Sequence, residues 1–427
     1  MITIKAAYLL LAAVMLTACA SSDSGELKVI DTVSDTEAVT AQSSSPEESA
    51  LPSPVEETTV TEPEKQEVTV SYTAVGDNLI HSSLYKQAAR RGEASGMDYD
   101  WEYAYKNVAD ELGKADISII NQETLIANDE YEPDTYPSFN SPTSLGDHMA
   151  KLGFDVFGMA NNHVLDKGED GLRATFDYYD SRNMIRVGAY RNEDDREDLR
   201  TIEVDGVTTA FLGYTESLNG LSLPSDSEKT IGRINDEEDI ALALSEVEHA
   251  AGQADIVVVM LHWGIEDSDE VTQYQRDLAK QFGNAGADVI LGSHPHVLRN
   301  IDLIDNEDGS QTLCAYSLGN FISAQDTGRN LIGGILDFEI TVSDEGKSIH
   351  DVEFIPIITH YDGSYRDIRL YKLRDYTRDM AENHGVKVSL GSRFGYDYIY
   401  EYLEKHHLTD YLKGEYDYEP EYSEGRC

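Results

Sequence analysis

The chain has 427 residues, with 33 Lys and Arg set against 80 Asp and Glu, giving a formal net charge of −47. That excess argues against nucleic acid as a partner, because phosphate backbones are bound through Lys and Arg, and against electrostatic docking on an anionic membrane surface. Three cysteines (Cys19, Cys314 and Cys427) rule out a disulfide scaffold, and the length supports one large domain or two ordinary ones with ample core.

The first segment reads as a secretory signal over residues 1–19. Lys5 supplies a thin positive start, and Ala6 to Leu16 forms an apolar run too short to span a bilayer. The run closes in Leu16-Thr17-Ala18-Cys19, which resembles a bacterial lipobox. The resemblance implies a lipidated Cys19 and an extracytoplasmic protein, lipid-anchored to the bacterial cell membrane; the alternative is ordinary cleavage near Ala18. Residues 20–67 read as a disordered linker rich in Ser, Thr, Pro and Glu, with twelve acidic and two basic residues and no aromatic. Such a composition buries too little apolar surface to offset chain entropy.

From Val68 onward, short apolar runs alternate with amphipathic stretches. Strands are expected at Thr69–Val75, Ile117–Asn121, Val156–Ala160, Ile185–Gly188, Thr208–Tyr214, Ile256–His262, Val289–Gly292, Leu313–Ser317, Gly334–Val342 and Asp351–Thr359. Helical patterns fall at Trp101–Leu112, Ser144–Leu152, Gly171–Arg182, Asp236–Ala251 and Thr272–Asn284. This alternation predicts an α/β (α+β) layered sandwich, with mixed β-sheets flanked by helices. The near-continuous run Ile256-Val257-Val258-Val259-Met260-Leu261 suits a strand covered on both faces. The last strands follow one another without helices, so part of the sheet is expected to be antiparallel. Residues 68–375 form the expected domain. Residues 376–427 read as a Tyr-rich acidic extension, a small helical cap followed by a frayed end.

The chemistry is read from position. Polar, ligand-type residues recur just after expected strands: Gly76-Asp77-Asn78, Asn121-Gln122-Glu123, Asn161-Asn162-His163, His262-Trp263-Gly264, Gly292-Ser293-His294-Pro295-His296 and Gly319-Asn320. Loops at strand C-termini converge in α/β sheets. Each signal alone has a plain structural reading: Asp77 or the Asn pair as turn residues, Glu123 as a solvated charge, His262 as a core histidine. In His294-Pro295-His296, alternate residues of an extended segment reach two neighbouring points. Together they form a mixed oxygen and nitrogen ligand set without thiolate, which suits two divalent metal ions (Mn, Fe, Zn or Co) rather than a structural zinc.

These segments resemble the CapA-type poly-γ-glutamate capsule synthesis proteins of the calcineurin-like metallophosphoesterase superfamily. The matching motifs are Ala74-Val75-Gly76-Asp77, Asn121-Gln122-Glu123-Thr124, the run Ala160 to Gly168, Leu261-His262-Trp263-Gly264, the run Gly286 to His296, and Tyr316-Ser317-Leu318-Gly319-Asn320-Phe321. The resemblance covers about Val68 to Ile358. It implies a metallophosphoesterase-like fold with Asp77, Glu123, Asn162, His262, His294 and His296 as metal ligands. Glu123 takes the place of the bridging carboxylate, and His163 that of the histidine that protonates the leaving group. Asn161 and Asn320 are implied in substrate positioning or in support of the ligands. Leu79 stands where the superfamily has a metal-binding His, so either His81 reaches in or the first metal is weakly held. Ile126 stands where an Asp orients the catalytic histidine, and Asp166 is the expected substitute.

Two classes of function follow. One is a surface-anchored hydrolase of capsule biosynthesis with a two-metal phosphoesterase-type site, acting on a cell-envelope polymer or phosphoester. The other is a non-catalytic accessory or polymer-binding lipoprotein, working with other proteins of a capsule synthesis or export complex. A polyanionic polymer requires cations on the protein, and Arg173, Arg182, Arg186, Arg299 and Arg329 are the candidates for a basic patch, against their plainer reading as solvated surface charges.

Overall fold

A computed structural model describes residues 67–127, 131–414 and 416. The signal segment with Cys19, nearly all of the linker, and the end of the tail with Cys427 lie outside the described residues. The described residues belong to one compact unit. In chain order its strands are β1 (Val68–Asn78), β2 (Ile117–Asn121), β3 (Val156–Gly158), β4 (Ile185–Val187), β5 (Ala189–Tyr190), β6 (Arg200–Val204), β7 (Val207–Thr215) and β8 (Thr230–Ile231). They continue with β9 (Ile256–His262), β10 (Val289–Ser293), β11 (Ile301–Asp305), β12 (Gln311–Ala315), β13 (Asn320–Ile322), β14 (Ile332–Ser343), β15 (Gly346–Asp362) and β16 (Arg366–Lys372).

Two mixed sheets result. The first runs β16-β15-β14-β1-β2-β3-β4, with β13 also pairing to β1; the second runs β11-β12-β10-β9-β7-β6. Strands β1 to β4 are parallel to one another, whereas β14 joins β1, and β15 and β16 follow it, antiparallel. In the second sheet β7, β9, β10 and β12 are parallel, and β6 and β11 close the edges antiparallel. The expected layered arrangement of mixed sheets flanked by helices is therefore the one the chain forms.

Side-chain alternation builds the layers. Along β9, Ile256, Val258 and Met260 join the core shared with the first sheet. Val257, Val259 and Leu261 join a second core with helices 237–251 and 273–284. The two sheets touch directly where the Tyr72 hydroxyl meets Thr209 Oγ1 at 2.6 Å. Asp236 caps the first of these helices by accepting from the backbone of Glu238 and Asp239, and Thr272 caps the second in a capping box with Gln275. Each cap is the first residue of its expected helical pattern.

Some expectations need correction. The pattern Trp101–Leu112 yields an α-helix only over Glu102–Tyr105. Beyond it the backbone closes shorter loops, with Val108 N on Tyr105 O at 3.0 Å and Glu111 N on Val108 O at 2.9 Å. Helix 82–95 and strands β6, β11 and β16 form where no element was expected. Past residue 376, short helices 378–382, 385–388 and 396–405 pack on the sheets, with the Tyr402 hydroxyl donating to Leu298 O at 3.1 Å. No helix among the described residues is long and apolar enough to cross a membrane.

Candidate metal centre

The site lies where the strand ends of the two sheets meet. Gly76 permits the approach: a Cβ there would stand 1.9 Å from the Gly319 carbonyl oxygen. Asp77 N instead donates to that oxygen at 2.9 Å, which fixes the end of β1 against the turn after β12. Asp77 Oδ1 accepts from Asn121 Nδ2 at 2.7 Å, and Oδ2 lies 3.0 Å from His296 Nδ1. The backbone N–H of His294 also reaches Asp77 Oδ2, at 3.3 Å.

Glu123 stands between two groups of ligand atoms. Its Oε2 is 3.6 Å from His296 Nδ1, and its Oε1 is 3.8 Å from His262 Nε2. On the second side, His262 Nε2 lies 3.1 Å from both Asn162 Oδ1 and His294 Nδ1. Glu123 is fully buried, and neither carboxylate oxygen has a hydrogen-bond partner among the described residues. A buried carboxylate normally satisfies both oxygens or gives up its charge. Asp77, Glu123 and His296 bring ligand atoms within 4.8 Å of one another. This donor set fits a hard or borderline divalent cation.

Burial dominates the electrostatics of these groups. Burial works against the charge of the Glu123 carboxyl, and the neighbouring His296 charge works in its favour. Burial and the neighbouring His294 drive His262 well below ordinary histidine values, and burial with His296 lowers His294 to about 4. Burial also opposes a charge on His296, but Glu123 and Asp77 outweigh it and raise that imidazole to about 10.

His163 sits beside this group. Its Nδ1 is 2.8 Å from Asp166 Oδ2, which also accepts from Phe139 N at 2.6 Å. Asn161 Oδ1 accepts from His163 N at 3.0 Å, while Asn161 Nδ2 donates to Gln122 O at 3.1 Å. Asn320 Oδ1 is 3.1 Å from His296 Nδ1, and its Nδ2 donates to Gln325 Oε1 at 2.7 Å. His81 turns its Nδ1 to the Leu79 carbonyl and to Ala324 N, both at 3.2 Å, and burial lowers its pKa to about 4.

Two expectations about geometry do not hold. His294-Pro295-His296 is not extended: φ is +94° at His294 and +58° at His296. Each left-handed, non-glycine backbone costs about 1–3 kcal/mol and persists only where the surroundings impose it. Four of the five candidate arginines are already engaged by acidic side chains or by polar groups of the chain, and two of these are not surface charges. Arg299 and Arg186 are 1% and 4% exposed; Arg299 is held by Ser268 O and Gln275, Arg186 by Asp180 and Asp195. Arg173 pairs with Asp177 and Arg182 with Asp147.

The sequence reading passed over three contributors. Asn121 ends β2 and supports Asp77. Ser293 Oγ lies 2.9 Å from His262 Nδ1 and leaves Nε2 for the ligand group. Glu266 Oε1 accepts from Asn162 Nδ2 at 3.4 Å. Each stands one to four residues from a residue that was singled out, which is the only signal the sequence offers.

The family model described as bacterial capsule synthesis protein PGA_cap matches residues 71–325. The PGA biosynthesis protein CapA of Bacillus subtilis is 33% identical over 213 residues, 50% of this chain and 53% of that protein. The capsule biosynthesis protein CapA of Bacillus anthracis is 28% identical over 287 residues, 66% of each. The chain thus spans about half to two thirds of the length of these curated relatives. Among solved structures, a phosphatase of Mycoplasma pneumoniae aligns over 69% of this chain and 95% of its own, with 12% identity and a TM-score of 0.40. The sulfate thiohydrolase SoxB of Thermus thermophilus aligns over 76% and 45%, with 14% identity and a TM-score of 0.32. With the family model matching more than half of its length, this chain belongs to the bacterial capsule synthesis protein family PGA_cap.

Proposed function

We propose that this protein is a lipid-anchored, extracytoplasmic hydrolase of poly-γ-glutamate capsule biosynthesis, with a two-metal site acting on a phosphoester of the cell envelope. The observation that carries the reading is Glu123, a buried carboxylate whose two unpartnered oxygens face two separate groups of ligands. Asp77, Glu123 and His296 would hold one ion, and Glu123, Asn162, His262 and His294 the other. Such a pair, when bound, supplies an activated water and neutralises phosphoryl charge.

The chain's own residues supply the proton chemistry. Asp166 occupies His163 Nδ1, so Nε2 is the nitrogen left for substrate. Water adds to phosphorus, the ester P–O bond breaks, and the His163 proton passes to the departing alcohol oxygen. One proton of the water then restores His163, and the other leaves on the phosphate. Asn161 holds the His163 backbone in place.

Metal content per chain, measured on protein purified without chelator, tests the reading. We expect about two transition ions, with loss in Asp77→Ala and His294→Ala. His163→Ala keeps the metal and loses about 10²–10⁴-fold in phosphoester turnover. Absence of metal after incubation with Mn and Zn would overturn the hydrolase and leave the accessory role.

A further inference from the structure

Over His163 opens a cavity of about 480 Å³, lined in part by Tyr136, Asn219, Leu221 and Glu266 together with His163 and Asp166. The proposed reaction places the phosphoryl group on the metal ligands and the departing oxygen at His163. The rest of the alcohol must then occupy this cavity. Its lining is unusual for an enzyme of anionic polymers: among the described residues it contains two carboxylates and neither Lys nor Arg.

Two neighbouring cations are already paired. Lys167, next to Asp166, gives its ammonium to Asp134 at 2.7 Å and to the Ser138 carbonyl at 3.1 Å. Arg299 lies behind the loop that carries Glu266 and donates to Ile265 O and Ser268 O at 3.3 and 2.7 Å. That buried guanidinium pins the loop from within and leaves Glu266 exposed at the mouth, beside Asn162. Apolar surface is available as well: Tyr136 is 75% exposed and Leu221 is 47% exposed. A carboxylate and an open aromatic face lining one cavity suit an ammonium group, through charge pairing and cation–π attraction.

We propose that the leaving-group subsite selects phosphomonoesters of cationic, ammonium-bearing alcohols and rejects anionic ones, with Glu266 and Tyr136 as the specificity-determining residues. The proposal rests on the hydrolase reading for its placement of the alcohol. It also implies that a polyglutamate chain does not occupy this cavity.

Three esters that share a phosphoryl group and differ in the charge of the alcohol provide the test: phosphocholine, glycerol 3-phosphate and 3-phosphoglycerate. Turnover is measured on the Mn-supplemented protein, and binding to His163→Ala by ligand-observed NMR. We expect kcat/KM to fall in that order, by about two- to fivefold per step, the range of an exposed ion pair. Glu266→Gln should flatten the order, and Tyr136→Ala should weaken phosphocholine most; both side chains are exposed, so the fold is retained. Equal use of the three esters, or preference for 3-phosphoglycerate, would overturn the subsite and leave the hydrolase standing. No turnover of any ester, with phosphocholine still bound best by His163→Ala, would overturn the hydrolase and leave the subsite. Equal or absent binding of all three would overturn the subsite whatever the turnover.

Discussion

Asp166 governs the direction of the His163 ring. Its Oδ2 takes both the His163 ring and the Phe139 N–H, so one oxygen sets the tautomer and direction of the imidazole. Asp166→Ala should lower kcat for a phosphoester by about 10- to 1000-fold. KM and metal content should stay near those of the parent, and Asp166→Asn, which keeps an acceptor oxygen, should fall less. Steady-state kinetics with metal analysis check this; a change in KM alone would mean that Asp166 serves the cavity and not the imidazole. The Asp166 placement was legible because it lies three residues from His163, within reach in a turn. The left-handed backbone at His294 and His296 was not, because nothing local dictates it. Asn121 and Ser293 were missed for a related reason: support of a ligand depends on how two strands register, and composition does not encode register.

At the scale of elements, legibility followed burial. Strands β2 and β9 occupy the expected bounds because both are buried throughout and are dominated by Ile, Val and Leu, β9 with six apolar residues in a row and β2 with three isoleucines in five. Edge strands β11 (IDLID) and β16 (RDIRLYK) alternate apolar residues with charges, a weaker signal that surface helices and loops share. Strand β16 is tied to the segment after helix 102–105 by Glu111, which is joined by Lys114, Lys372 and Arg374. Burial alone would raise the Glu111 carboxyl, but the bonds from Lys114 and Lys372 and the Arg374 charge lower it from 4.5 to about 2. The depressed value means stabilisation that is full above the unfolded pKa and is lost as pH falls from about 4.5 through 2. Glu111→Gln should therefore cost about 1–2 kcal/mol at pH 7, allowing for solvent screening. Thermal melts should show that gap closing by pH 2; a gap that persists there would mean that packing, not charge, is lost.

For the molecule as a whole, the fold class was legible and the way the sheets face each other was not. Alternating apolar runs specify layers, but the meeting of the strand ends depends on long-range contacts such as Tyr72 with Thr209. That meeting has a consequence. The first sheet contributes Asp77, Glu123 and Asn162 to the site, and the second contributes His262, His294 and His296. A cation held there would be a rivet through two plates, and neither plate could tilt without breaking it. Loading should therefore slow amide hydrogen exchange in β1, β2, β9 and β10 together, with protection set by metal concentration over its dissociation constant. Protection confined to one sheet would mean that the ion sits on one plate only. A protein built this way would be slack until it met its metal and stiff afterwards, so the supply of the ion would govern its resistance to proteases as well as its chemistry.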